Sequence, residues 1–280
     1  MTTRSAVLAC GVVLAGCGGT LGVELSESDR QRWAPGSPRR DTIPVLVYHG
    51  AANADAFARH MVLMRHAGYQ TIPLETFVRS TRGERVRLPP RPFLLTFDDG
   101  RAAQTRAADE VLRELGLQAA LFVDVGRVKY DDPDYVNWKE LRAMQRDGRW
   151  SIQLQSGTGK HIIQWGPGRA DVGSFYTYRG SDEVLGTWRE RVFSDVSRGE
   201  EQLAFRVPGY RPLAFSPPYG NYGQLGTNDP EIPRLLLARL RKAYPVVFTR
   251  EHPAFAGPGT IGRLDMTRAS SERELLALIR

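Results

Sequence analysis

Between residues 43 and 280 the chain alternates short continuous apolar runs with longer stretches whose apolar positions recur every three or four residues. The runs at 43–49, 92–98, 118–125, 213–215 and 245–249 are largely apolar at successive positions, the pattern of strands covered on both faces, and 151–155 reads as a further short strand. The stretch 54–67 places Phe57, Met61 and Met64 on one helical face, and 102–115 is amphipathic and stopped by Gly116. Residues 138–147 form a further predicted helix closed by Gly148, and 230–243 and 271–279 complete the set. Strands alternating with helices at this spacing predict βα units around a mainly parallel sheet, either a barrel or a doubly wound fold. In both, reactive groups gather at the carboxyl ends of the strands. Four such ends carry chemistry here: His49, Asp98-Asp99, the stretch from Gln155 to His161, and Ser216-Pro217-Pro218-Tyr219-Gly220.

The N-terminus follows a different pattern. Arg4 precedes a short apolar segment, residues 6–14, too short for a bilayer-spanning helix and followed by Leu14-Ala15-Gly16-Cys17. That tetrapeptide resembles the lipobox of bacterial lipoproteins, which predicts a signal peptide over 1–17, lipidation of Cys17 and export to the outer side of the cell membrane. An ordinary secretory signal that happens to hold a cysteine is the alternative. Cleavage removes Cys10, so a mature chain would carry no disulfide. Residues 18–42 are polar, with Pro35, Gly36 and Pro38, and read as a flexible tether to a single domain over 43–280.

Composition narrows the partners. The chain is 41% hydrophobic and 25% charged, enough for one large core. Its net charge of +7 is carried almost wholly by arginine, since Lys129, Lys139, Lys160 and Lys242 are the only lysines. There is no compact basic run interleaved with aromatics, so nucleic acid is not expected, and an anionic envelope polymer or lipid surface suits a basic exported protein.

Asp98 and Asp99 are the most informative pair. Two adjacent carboxylates at the end of an apolar run are costly to desolvate unless a cation or a shared proton compensates them. A cation held by one acid, with the other left as a base, meets that cost; an ordinary Asp-Gly turn is the plainer alternative.

Read together, Pro44-Val45-Leu46-Val47-Tyr48-His49, Leu95-Thr96-Phe97-Asp98-Asp99-Gly100 and Phe215-Ser216-Pro217-Pro218-Tyr219-Gly220 resemble, in order, three motifs of the polysaccharide deacetylase (NodB-homology) family. The resemblance implies a distorted (β/α) barrel with fewer than eight strands and metal-dependent removal of acetyl groups from an acetylated polysaccharide containing N-acetylglucosamine. It makes Asp98 the general base and Asp99 a ligand of a divalent ion, commonly zinc. Pro217, Pro218, Tyr219 and Gly220 would wall the acetyl pocket, with the Tyr219 N–H facing the oxyanion.

Three departures qualify this. The family's pair of metal-binding histidines corresponds to a stretch where Gln155 stands first and His161 is the remaining imidazole, with Lys160 beside it. Glutamine is a poor zinc partner, and Lys160 would oppose a cation if turned inward. Ser216 replaces an arginine that orients the base in many relatives, which predicts a less firmly held Asp98. No histidine occurs over 260–266, so His49 becomes the substitute general acid. His60 and His66 are expected to be structural or solvent-facing, and His252 is given no role. Trp165, Phe175, Tyr176, Tyr178 and Trp188 are candidates for stacking on sugar rings, with core packing as the plainer role, and Arg179 and Arg191 are candidate substrate contacts. Two function classes therefore stand: an active deacetylase, and a catalytically silent relative that binds glycan.

Overall fold

The computed structural model describes residues 21–36, 43–49, 54–129, 131–251, 259–266 and 272–279. Cys17, with the rest of the expected signal peptide, lies outside them. Eight strands lie side by side in the order β10 (Ile261–Gly262), β9 (Val246–Thr249), β8 (Ala214–Phe215), β5 (Trp150–Ser156), β4 (Ala119–Asp124), β3 (Pro92–Asp99), β1 (Val45–Tyr48), β11 (Leu264–Asp265); the short β2 (Gln70–Thr71) adds to β3, and β6 (Ile162–Gln164) pairs with β7 (Val172–Ser174) in a separate antiparallel ribbon. Six of the eight come from segments read as strands in the sequence, the first five in chain order being β1 (Val45–Tyr48), β3 (Pro92–Asp99), β4 (Ala119–Asp124), β5 (Trp150–Ser156) and β8 (Ala214–Phe215). Next comes β9 (Val246–Thr249), and every one of these pairings is parallel. The outcome is a nearly closed parallel barrel.

The expected barrel is present, but its path holds eight strands rather than fewer. The two extra ones are β10 (Ile261–Gly262) on β9 and β11 (Leu264–Asp265) on β1, each two residues long and too short to leave an apolar signature. They flank Arg263, so one short piece of chain spans the seam between the barrel's two edges. Arg263 is thereby placed at the seam, 2% exposed.

Side-chain alternation along the strands divides the core in two. Phe93, Leu95 and Phe97 face outward to helices α2 (Ala54–His66) and α4 (Ala102–Leu115) in the larger cluster. Leu94, Ala120, Phe122, Ala214, Val246 and Phe248 fill the barrel interior. Towards the carboxyl ends the interior-facing positions turn polar, to Thr96, Asp98, Asp124, Gln155 and Ser216, all buried. The apolar floor is therefore roofed by polar groups that need partners.

Helices α5 (Trp138–Arg146) and α7 (Ile232–Ala243) stand where the apolar spacing put them. Asn137 caps α5 by a reciprocal exchange with Glu140, and Gly116 ends α4 in the left-handed conformation. The longest helix, α6 (Leu185–Arg206), had no clear forecast because its apolar positions are sparse among charges. A second difference concerns the expected tether. Residues 27–32 form helix α1 behind a Ser26 capping box, Trp33 is 1% exposed, and Leu21, Val23 and Leu25 pack on the core. The segment 21–36 is docked because that tryptophan and these aliphatic side chains have apolar surface to bury.

Candidate active site

The site is built upward from the aromatic floor. Phe122 and Phe248 form it, and the Arg263 guanidinium lies 5.7 and 5.5 Å from their ring centres. From there Arg263 grips Asp98 with two parallel bonds, Nη1 to Oδ1 at 2.8 Å and Nη2 to Oδ2 at 2.7 Å. Its Nη2 also donates to Ser216 Oγ (2.8 Å), which donates in turn to Asp98 Oδ2 (3.1 Å). Burial opposes the charge on Asp98, but the Arg263 guanidinium outweighs it, with His49 and Lys160 adding to the field. Asp98 is held below the usual carboxylate range.

Asp98 is therefore firmly held, contrary to the expectation drawn from Ser216. The missing arginine charge arrives from the link between β10 and β11, and the small serine leaves room for it. Nothing in the local sequence marks Arg263 except its isolation among short apolar pairs. Its role depends on closure of the barrel.

His49 stands at the end of β1 between two carboxylates, with Nε2 3.6 Å from Asp98 Oδ2 and Nδ1 3.4 Å from Asp265 Oδ1. The parallel pairing of Val47 with Asp265 puts this second acid there, and Arg250 sits 3.3 Å from its other oxygen. Asp265 and Arg250 were not foreseen either. His49 itself is 27% exposed, so it can meet a substrate from the mouth.

Asp99 ends β3 at φ 78°, a left-handed conformation uncommon outside glycine, and ion-pairs with Lys160. Lys160 comes from the loop after β5, whose base is fixed by Asp195 of α6. That fully buried carboxylate accepts the N–H of Gly157 (2.9 Å), the N–H and hydroxyl of Thr158 (2.8 Å each) and the Tyr176 hydroxyl (2.8 Å). Gln155 is buried beneath, with an Oε1 that has no hydrogen-bond partner among the described residues. His161 is exposed, with Nδ1 3.1 Å from the Thr158 carbonyl and its ring 4.7 Å from that of Phe175.

Pro217 and Pro218 are buried, while Tyr219 is 38% exposed at φ 62°. The Gly220 N–H is donated to the Pro217 carbonyl at 2.8 Å, which leaves Tyr219 as the donor facing the mouth in this turn. Lys160 Nζ lies 6.0 Å from the Tyr219 ring. Burial, then the charges of Asp99 and Asp124, raise the Tyr219 hydroxyl.

The other candidates belong to the scaffold. Tyr176 and Trp188 are fully buried and Phe175 nearly so, which leaves Trp165 and Tyr178, stacked at 6.1 Å, as the accessible aromatic pair. Arg191 is engaged by Glu183, the carbonyls of Phe175 and Tyr178, and the Phe175 ring, and Arg179 by Asp229. His60 is buried and pairs with Tyr48.

The resemblance to polysaccharide deacetylases implies a divalent ion, and the donor set here does not fit one. Asp99 is engaged by an ammonium, Gln155 offers a neutral amide oxygen, and the His161 ring lies against Phe175. Among the described residues no group of three or more His, Cys, Asp or Glu is placed to hold a metal.

The comparisons with known proteins agree with this architecture. The sequence model for polysaccharide deacetylases matches residues 85–228. A Bacillus subtilis (strain 168) chain named as a polysaccharide deacetylase, YxkH, is 25% identical over 148 residues, covering 50% of each chain. The present chain thus spans half the length of that curated relative. Among solved structures, a de-N-acetylase from Aggregatibacter actinomycetemcomitans superposes with a TM-score of 0.69 at 17% identity, over 84% of this chain and 99% of that one. IcaB from Ammonifex degensii gives 0.62 at 21% identity, over 87% and 97%, and Streptococcus pyogenes PplD, solved with acetate, 0.60 at 17%, over 87% and 100%. At these identities the structures speak for the fold alone. Since the family match takes in Asp98, Asp99 and the Tyr219 turn and covers half of the sequence, the chain belongs to the polysaccharide deacetylase family.

Proposed function

We propose that this barrel mouth hydrolyses acetyl groups from an acetylated polysaccharide, with the amide of N-acetylglucosamine units as the substrate. The observation that carries the reading is the array Arg263–Asp98–His49–Asp265, a buried anionic carboxylate with an imidazole at 3.6 Å that also reaches solvent. Water attacks the acetyl carbonyl carbon while Asp98 Oδ2 takes its proton. Arg263 makes Asp98 a weak base, so that proton passes readily to His49 Nε2. From His49 it reaches the departing nitrogen as the carbon–nitrogen bond breaks, giving acetate and a free amine. Asp265 orients the imidazole from its other nitrogen, and the Tyr219 N–H stabilises the tetrahedral oxyanion. Pro217, Pro218 and Gly220 shape the pocket around the methyl group.

The lipobox at Cys17 and the basic charge support an exported, lipid-anchored protein meeting its polymer outside the cell membrane. Acetate release from an acetylated chitooligosaccharide or exopolysaccharide tests the reaction. Asp98→Asn and His49→Gln are each expected to lower kcat by about 100-fold or more. Wild-type release no faster than that of Asp98→Asn would remove the enzyme reading. The neutral Gln155 and the ion-paired Asp99 favour a second reading, a silent relative that binds glycan. Glycan binding with no acetate release would establish it.

A further inference from the structure

We propose that Lys160 is the cation of this site: its ammonium, held by Asp99, faces the acetyl carbonyl, and the reaction proceeds without a divalent ion. The inference deepens the deacetylase reading and rests on it.

Four observations carry it. Asp99 adopts a left-handed backbone uncommon outside glycine and spends its carboxylate on Lys160. Both side chains are sheltered, at 17% and 22% exposure, so the pair is screened less than one in open water. The loop that delivers Lys160 is built to close tolerance. A Cβ on Gly157 would lie 2.4 Å from the Asp195 carbonyl oxygen, and one on Gly159 would lie 2.3 Å from the Tyr176 ring. With Asp195 accepting four bonds at the base of this loop, Lys160 two residues further on is positioned rather than free to wander.

The choice of residue is informative as well. With 38 Lys and Arg of which four are lysines, this chain uses arginine for nearly every cation. An ammonium is a compact point charge, whereas a guanidinium is a planar fork, and only the former approximates the charge of a small ion. Its location suits that role, because the ammonium pairs with Asp99, reaches 6.0 Å from the Tyr219 ring, and contributes to the field that keeps Asp98 ionised. It therefore lies between the acid pair and the turn that receives the oxyanion. Lys160 would complement the negative charge developing on the carbonyl oxygen, as a fixed charge in a sheltered site does.

The test uses the whole mature chain in two measurements. Calorimetric titration with zinc chloride alone reads the cation site, and acetate release in EDTA, with and without zinc added back, reads the chemistry. The expected result is no stoichiometric zinc binding at micromolar concentration and acetate release unchanged by EDTA. Lys160→Met should lower kcat by about 100-fold with KM little changed, and Lys160→Arg should retain part of the activity. One zinc bound per chain and lost in Asp99→Asn, or activity abolished by EDTA and restored by zinc, would overturn the inference while the deacetylase reading stood. Metal-free activity indifferent to Lys160→Met would also overturn it alone. A wild-type chain that releases no acetate under either condition removes both.

Discussion

Arg263 and Asp98, 165 residues apart in sequence, form a bidentate ion pair inside the barrel with both side chains at most 2% exposed. Such a pair is costly to break from one side, because the remaining charge stays buried and uncompensated. Arg263→Met should therefore destabilise the protein by about 3–5 kcal/mol. In the Asp98→Asn background the same change should cost much less, since the charge it strands is absent. Denaturant unfolding of the four proteins of this cycle measures the coupling, and additive effects would contradict the geometry.

Asp124 titrates in the opposite sense to Asp98. Burial pushes its carboxyl up to about 6, so the folded chain holds a proton that the unfolded chain has released. The group's contribution to stability is present below the ordinary carboxylate value of about 4 and is lost as pH rises from there through about 6. The shift of about two units corresponds to about 3 kcal/mol. Asp124→Asn keeps the acceptor for the Gly126 N–H and removes this slope. It should stabilise the chain at pH 7.5 and have little effect at pH 4. An equal effect at both values, by urea unfolding, would refute the assignment.

Asp195 is expected to govern the loop that carries Lys160. Asp195→Asn replaces one acceptor oxygen with a donor facing donors, and should cost about 3 kcal/mol. Amide hydrogen exchange at Gly157 and Thr158 should accelerate together with a fall in kcat. Unchanged protection at those two amides would separate Asp195 from the loop.

Gly220 and Gly116 share a left-handed backbone, at φ 62° and 64°, but differ in surroundings. A Cβ at Gly220 would stand 2.5 Å from the Arg250 backbone nitrogen, whereas nothing lies within 4 Å at Gly116. Gly116→Ala should cost about 1 kcal/mol, from the backbone alone. Gly220→Ala should add overpacking of about 1–3 kcal/mol and displace the Tyr219 turn. Thermal unfolding of the two variants side by side checks the difference.

The local order of the chain was readable in advance because βα units leave local signals. Largely continuous apolar runs marked β1, β3, β4, β8 and β9, a short segment ending at Gln155 marked β5, and helical spacing marked α2, α4 and α5, the last two closed by glycines. The same reading put Asp98, Asp99, His49 and the Tyr219 turn at one mouth, since a parallel sheet sends every strand's carboxyl end to the same side. Beyond that reach lay partnerships between distant residues. Arg263 acquires its meaning from two-residue strands that close the barrel, Asp265 from register with β1, and the inward turn of Lys160 from an acid on α6. Trp33 docks a segment whose composition reads as a linker. These are contacts of large sequence separation, selected by burial and charge compensation, which the pattern of neighbouring residues does not encode.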